Sequence, residues 1–221
     1  MDILHIDEQL IIINKPAGLP VLPDGWEKDA PYLVKTLEET YGKIFIVHRL
    51  DKITSGVMVF ARDPDTHRAL NMQFENHEAQ KVYHAIVERN PKWAEKITKF
   101  PLHANVGHKH RTIVDDKHGK PSETRFRVLK RYPESELSEA SALVEALPMT
   151  GRTHQIRVHA AALGHPLLGD VLYGAAETYL TARPALHAFS LAFTHPASNE
   201  RVTFRAEHPE DFETTLKLLG V

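Results

Sequence analysis

Hydrophobic and polar positions alternate in short runs along most of this chain, broken by glycine, proline and aspartate. Ile3, Leu4 and Ile6, then Leu10 to Ile13, form two apolar runs separated by an Asp7-Glu8 turn. Pro16 ends the second run, because it has no N–H to offer a ladder. Leu33, Leu37 and Tyr41 recur at i, i+4 and i+8, which predicts a helix over 32–41 that stops at Gly42. Apolar strands are predicted over 44–47 and 58–60. Asp63 or Asp65 can then cap a helix with Leu70, Phe74 and His77 on one stripe. From Lys81 to Val87 the strand period places Val82, His84 and Ile86 on one face and Lys81, Tyr83, Ala85 and Val87 on the other. Further strands are predicted over 124–129, 142–147, 186–193 and 202–206. A helix is predicted from residue 152 or 153 to 163, ahead of Gly164, and a last one around Phe212, Leu216 and Leu219. This order is not a repeating βαβ, so an α+β class with a largely antiparallel sheet fits it. No internal repeat or low-complexity linker divides the chain, and a single domain over 1–221 is expected.

Composition changes this picture little. The 221 residues can bury a substantial core. At 42% hydrophobic and 25% charged they are ordinary for a globular protein. No apolar run approaches the ~20 residues needed to cross a bilayer. The N-terminus also lacks the basic-then-apolar layout of a signal peptide, so a soluble cytoplasmic protein with no membrane partner is expected. Absence of cysteine excludes disulfides and thiolate chemistry. The net charge of −2 argues against a grip on nucleic acid by bulk electrostatics, but its distribution is uneven. Between residues 108 and 131 stand Lys109, Arg111, Lys117, Lys120, Arg125, Arg127, Lys130 and Arg131, opposed only by Asp115, Asp116 and Glu123. Such a segment on a nearly neutral chain suggests a polyanion met on one face, with a solvated lysine-rich hairpin as the simpler alternative.

Two stretches are dense in chemistry. In the run from His48 to Val57, an imidazole, a guanidinium and a carboxylate (His48, Arg49, Asp51) stand within four residues, followed by an expected turn at Thr54-Ser55-Gly56. A loop that merely joins strands has no use for Arg and Asp flanking a leucine, although a self-paired surface loop would look similar. The second stretch runs from Pro148 to His159 and on through Gly164 to Asp170. It reads as a strand, a turn and a helix start carrying several donors, with His154 and Arg157 on one helix face and Ile156, Ala160 and Leu163 on an apolar one. The fifteen histidines invite a metal reading. His154 and His159 lack zincin spacing, however, and His103, His108, His110 and His118 have no cysteine or carboxylate framework, so no metal site is expected. No nucleophile elbow and no phosphate-cradling glycine loop is present.

Asn14 to Gly18, His48 to Val57, Lys81 to Ala85, and Gly151 to His159 with Gly164 to Gly174 together closely resemble the RluA-type pseudouridine synthases, in that family's order and over nearly the whole chain. The resemblance implies the pseudouridine synthase fold, a mixed and largely antiparallel sheet flanked by helices around a catalytic cleft. It also implies isomerisation of uridine in RNA without cofactor or metal. By motif position Asp51 would be the essential aspartate, acting either as a nucleophile or as the base of a glycal route. Arg157 matches the arginine that pairs with it, and a guanidinium fork would offset the desolvation of a carboxylate facing a flipped base. Tyr83 matches the tyrosine that packs on the uracil. Arg49 matches the arginine that fills the vacated base position. Lys15 would support the motif loops or a phosphate. Many relatives carry a small RNA-binding domain first; with a strand already at Ile3, the RNA grip is expected from Lys109, Arg111 and Arg152. A monomer acting on ribosomal RNA, tRNA or both is implied. Rival readings are a silent RNA-binding module on the same fold and a histidine-cluster metal hydrolase.

Overall fold

The computed structural model describes residues 1–23, 30–107, 111–136 and 139–220. In chain order these form β1 (Asp2–Ile6), β2 (Leu10–Lys15), α1 (Leu33–Tyr41), β3 (Phe45–Ile46), β4 (Ser55–Ala61), α2 (Pro64–Glu75) and β5 (Gln80–Glu88). There follow β6 (Glu95–Thr98), β7 (Leu102–Val106), β8 (Arg111–Val114), β9 (Thr124–Tyr132), β10 (Ser141–Pro148) and α3 (Gln155–Ala162). A 3-10 turn over Val171–Tyr173 leads to β11 (Leu186–Thr194), β12 (Arg201–Arg205) and α4 (Glu210–Leu219). The class is α+β, as the periodicity predicts. The chain groups into two compact units, Met1–Lys81 with Ala188–Glu207, and Val82–His187 with His208–Val221.

In the first unit, β2 pairs antiparallel with β1 and β4, β3 pairs with β4, and β11 pairs with β12. The strand period puts Leu10 and Ile12, Val57, Val59 and Ala61, and Leu191 and Phe193 in one apolar cluster, which also takes in Leu70 of α2. Each such side chain contributes about 1.5–3 kcal/mol by leaving water, which is what holds α2 on the sheet. Of the two candidate caps, Asp63 is the one that caps α2, its Oδ1 accepting from the amides of Asp65 and Thr66 at 2.9 Å, with Pro64 in the first turn. The helix stops at Glu75, so His77, at φ 61°, does not extend the Leu70–Phe74 stripe. Gly56 is not part of a turn either. It lies inside β4 at φ 119°, and a Cβ there would meet the carbonyl oxygen of Ala188 at 2.2 Å. Only glycine admits that approach.

In the second unit, β10 pairs antiparallel with β5 and β9, and β9 pairs with β6. Ala85, Val87, Phe126, Val144, Ile156 and Ala160 form one core, where small residues let α3 approach the strands closely. Ile86, Leu168, Phe212 and Leu219 form another, which seats α4. Strand β5 thus feeds two cores from its two faces, as its alternation predicts. Three strands, β6, β7 and β8, escape the sequence pattern because they are short and mix polar with apolar residues. β7 and β8 pair with each other as a separate two-stranded ribbon.

Candidate active-site residues

The loop between β3 and β4 is held from below by a lysine. Lys15, the last residue of β2, is fully buried, and its ammonium donates to the carbonyls of Pro16 at 2.8 Å, Leu19 at 2.7 Å and Lys52 at 3.1 Å. The amide of Gly18 reaches the same Lys52 carbonyl at 2.8 Å. The chain beside Asp51 is therefore pinned to the 16–19 segment, and the Thr54 amide donates back to the Asp51 carbonyl at 3.0 Å. Leu50 is buried between exposed Arg49 and half-buried Asp51, which anchors the loop. Of the two roles open to Lys15 from sequence, the loop support is the one these bonds describe.

His48 serves this loop as a neutral acceptor. Its Nε2 takes the Val59 amide at 3.2 Å, continuing the β3–β4 ladder with a side chain, and its ring stacks on Phe74 at 4.9 Å. Burial, with the nearby charge of Lys81, pushes its pKa down to about 3. Burial likewise pulls Lys81 down to about 8. Tyr83, two residues on, is half-buried and packs against the core that holds Ala85 and Val87, on the face expected for it.

The second dense stretch is organised differently from the sequence expectation. Helix α3 begins at Gln155, not at residue 152 or 153. His154 takes a left-handed conformation at φ 53°, so it precedes the helix and shares no helix face with Arg157. The cause is the demand of Gln155. Its side-chain oxygen accepts from the Thr150 hydroxyl at 2.7 Å and the Arg152 amide at 3.0 Å, while its nitrogen donates to the Glu123 carbonyl and Thr124 hydroxyl at 2.9 Å. All four capacities of a buried amide are satisfied only if the turn delays the helix.

Arg157 is 4% exposed and forks onto Asp170, Nε to Oδ2 at 2.7 Å and Nη2 to Oδ1 at 2.8 Å. Asp170 is itself 1% exposed. The guanidinium also lies 5.0 Å from the ring centre of Tyr173. A bidentate pair of this kind fixes the plane of the arginine as well as its charge. Asp170, Tyr173 and Gln155 all lie in stretches marked by sequence yet had no role there. A lone carboxylate in the apolar run Gly164 to Leu172 is the signal that could have found Asp170.

Arg49, Arg111 and Arg152 are exposed, and the Arg152 Nε donates to the Pro121 carbonyl at 3.2 Å. Lys109 lies outside the described residues, with His108 and His110. The basic run is less free than its composition suggests. Arg127 pairs with Glu145 at 3.0 Å and Arg125 with Glu95 at 3.8 Å, while Arg131 is spent on Asn90 and on backbone carbonyls of Pro91 and Trp93. Asp115 supplies a carboxylate framework for His103 and His118 that the sequence reading lacked, at 3.1 and 3.3 Å. It is a closed turn: Oδ2 serves both imidazoles, and Oδ1 takes the amides of Lys117 and His118. His159 is fully buried; its Nε2 donates to the Phe100 carbonyl at 3.0 Å, so Nδ1 accepts from the Thr124 hydroxyl at 2.9 Å.

Residues 9–162 match the family model for RNA pseudouridylate synthases. The chain is 37% identical over 211 residues to the dual-specificity RNA pseudouridine synthase RluA of Escherichia coli, covering 95% of this chain and 93% of that one. It is 36% identical over 238 residues to ribosomal large subunit pseudouridine synthase D of Zymomonas mobilis, covering all of this chain and 73% of that relative. Among solved structures, human RNA pseudouridylate synthase domain containing 4 superposes with a TM-score of 0.78 at 27% identity, over 99% of this chain and 92% of that one.

Proposed function

This chain belongs to the RNA pseudouridylate synthase family and is an isomerase of RNA uridines, and from that premise we propose that Asp51 is its reacting carboxylate. The observation that carries the reading is the family match over residues 9–162, which contains Asp51, Tyr83 and Arg157 together. In this reading the target uridine leaves the stack, Tyr83 packs on its base and exposed Arg49 enters the space it vacates. Arg157, held in plane by Asp170, is the arginine proposed to pair with Asp51. The N1–C1′ bond breaks, the base turns, C5 bonds to C1′, and the C5 proton is lost as N1 regains one. Atoms and electrons balance within the substrate, so the reaction needs no oxidant or reductant.

Stem-loops of ribosomal RNA, tRNA or both are the proposed substrates; the name of the Zymomonas mobilis relative supports the ribosomal part of this assignment. The two compact units are proposed to act as one catalytic domain, in a cytoplasmic monomer, with Arg111, Arg152 and Lys109 contacting phosphates. No helix among the described residues is long and apolar enough to cross a membrane. The test is tritium release from 5-tritiated uridine in ribosomal RNA and tRNA. Wild type should release it, and Asp51→Asn should be slower by about 10²–10⁴-fold at unchanged melting temperature. Near-normal turnover by Asp51→Asn would remove Asp51 from the chemistry.

A further inference from the structure

The β7–β8 ribbon forms no ladder with the other strands of its unit; it is fastened instead to the side of α3. Thr112, in the middle of β8, is 1% exposed, and its amide donates to the Tyr173 hydroxyl at 3.0 Å. The same hydroxyl lies 2.8 Å from Nδ1 of His154, the left-handed residue that opens α3. The ring of that tyrosine is the one facing the Arg157 guanidinium at 5.0 Å. One phenol therefore touches the ribbon, the entrance to α3 and the arginine. A hydroxyl has one proton and two acceptor positions. The Thr112 amide fills one acceptor position, and His154 takes either the proton or the other acceptor position according to its tautomer. Burial raises the phenol's pKa, so it keeps that proton. Arg111, next in chain to Thr112, is exposed, and neighbouring residues of a strand point to opposite sides. When Thr112 is turned inward to Tyr173, Arg111 is turned outward.

We propose that Tyr173 is a positioning residue that latches the ribbon to α3, so that the grip of Arg111 on an RNA phosphate and the orientation of Arg157 are set together. The coupling to catalysis rests on the function proposed above; the latch does not. A ribbon detached from Tyr173 would carry Arg111 away from the phosphate, and would leave Arg157 with Asp170 but without a fixed ring behind it.

The test begins on free protein with amide exchange at Thr112. Tyr173→Phe keeps the ring and loses the hydroxyl, and should speed that exchange about two- to tenfold, the worth of one hydrogen bond. Thr112→Pro removes the donor from the other side and serves as the second variant should the first fail to fold; lacking an amide itself, it is read by faster exchange at the neighbouring Ile113 amide. The next measurement is single-turnover kinetics on a ribosomal RNA stem-loop that wild type converts. Tyr173→Phe and Arg111→Ala should each raise the half-saturating RNA concentration about tenfold. Combined, they should do no worse than the stronger single change, and Tyr173→Phe alone should also lower the saturated rate. Unchanged exchange at Thr112, or a double variant whose effect is the product of the singles, about a hundredfold, overturns the proposal. Should wild type convert no RNA, the functional reading falls, while the exchange measurement still decides the latch.

Discussion

Two buried cations organise the two dense stretches, and they do it in different ways. Lys15 spreads its charge over three backbone carbonyls, of Pro16, Leu19 and Lys52. Arg157 concentrates its charge on one carboxylate, Asp170, through two parallel bonds. A compact ammonium with rotatable donors suits the first task, which is to give a stretch of backbone its shape. A planar fork suits the second, which is to aim a side chain. The loop around Asp51 is thus supported through its main chain, whereas Arg157 is supported through its side chain.

The largest expected effect comes from breaking the fork on one side. Asp170→Asn takes from a buried guanidinium the carboxylate it forks onto, at a cost of about 3–5 kcal/mol in urea unfolding, and with it most of the activity. Replacing both partners, Arg157→Met with Asp170→Leu, should restore much of the stability and none of the turnover. Recovery of activity in that double variant would show that the fork serves the fold alone.

Lys15→Met breaks the other support. It strands buried carbonyls rather than an opposite charge, so the loss should be smaller, about 1–3 kcal/mol, read as a lowered melting temperature. Activity should fall as the Asp51 loop loosens, with RNA binding at Arg111 unaffected. A Lys15→Met protein of wild-type stability would contradict the role given to those three bonds.

The smallest effect sharpens the contrast by pH. His48, beside the Asp51 loop, has a folded pKa of about 3 against an ordinary 6.5. The folded state therefore refuses a proton that the unfolded chain accepts in that window. Stability from this residue is complete above pH 6.5 and is lost as pH falls towards 3, by at most about 1.4 kcal/mol per pH unit. His48→Gln retains an acceptor for the Val59 amide but cannot titrate, so its unfolding free energy should vary less between pH 7 and pH 5. An unchanged slope would place the acid sensitivity elsewhere.

Local pattern was a good guide where backbone periodicity is itself the cause. The alternation of Lys81 to Val87, the Asp63 cap with Pro64, and the Gly42 stop each follow from interactions within a few residues, and each is found in the fold. The pattern failed where a distant group sets the conformation. Helix α3 starts late because Gln155 must satisfy Glu123 and Thr124, some thirty positions away. Gly56 looks like a turn residue until the Ala188 backbone arrives beside it. The net basic charge of 108–131 is diminished by Glu95 and Glu145, which the sequence places outside the segment.

By itself, then, the sequence determined most of the element order, though not β6, β7 and β8, and it determined the two dense stretches and, through their combination, the family. Those depend on residue type and spacing, which are local. Tertiary structure alone decided that Asp170 is a partner of Arg157, that Lys15 is sealed under the Asp51 loop, and that Tyr173 holds Thr112. A buried charge or amide takes whichever partner the closed chain brings within 3 Å. Folding settles which partners those are, at sequence separations where neither spacing nor composition carries a signal.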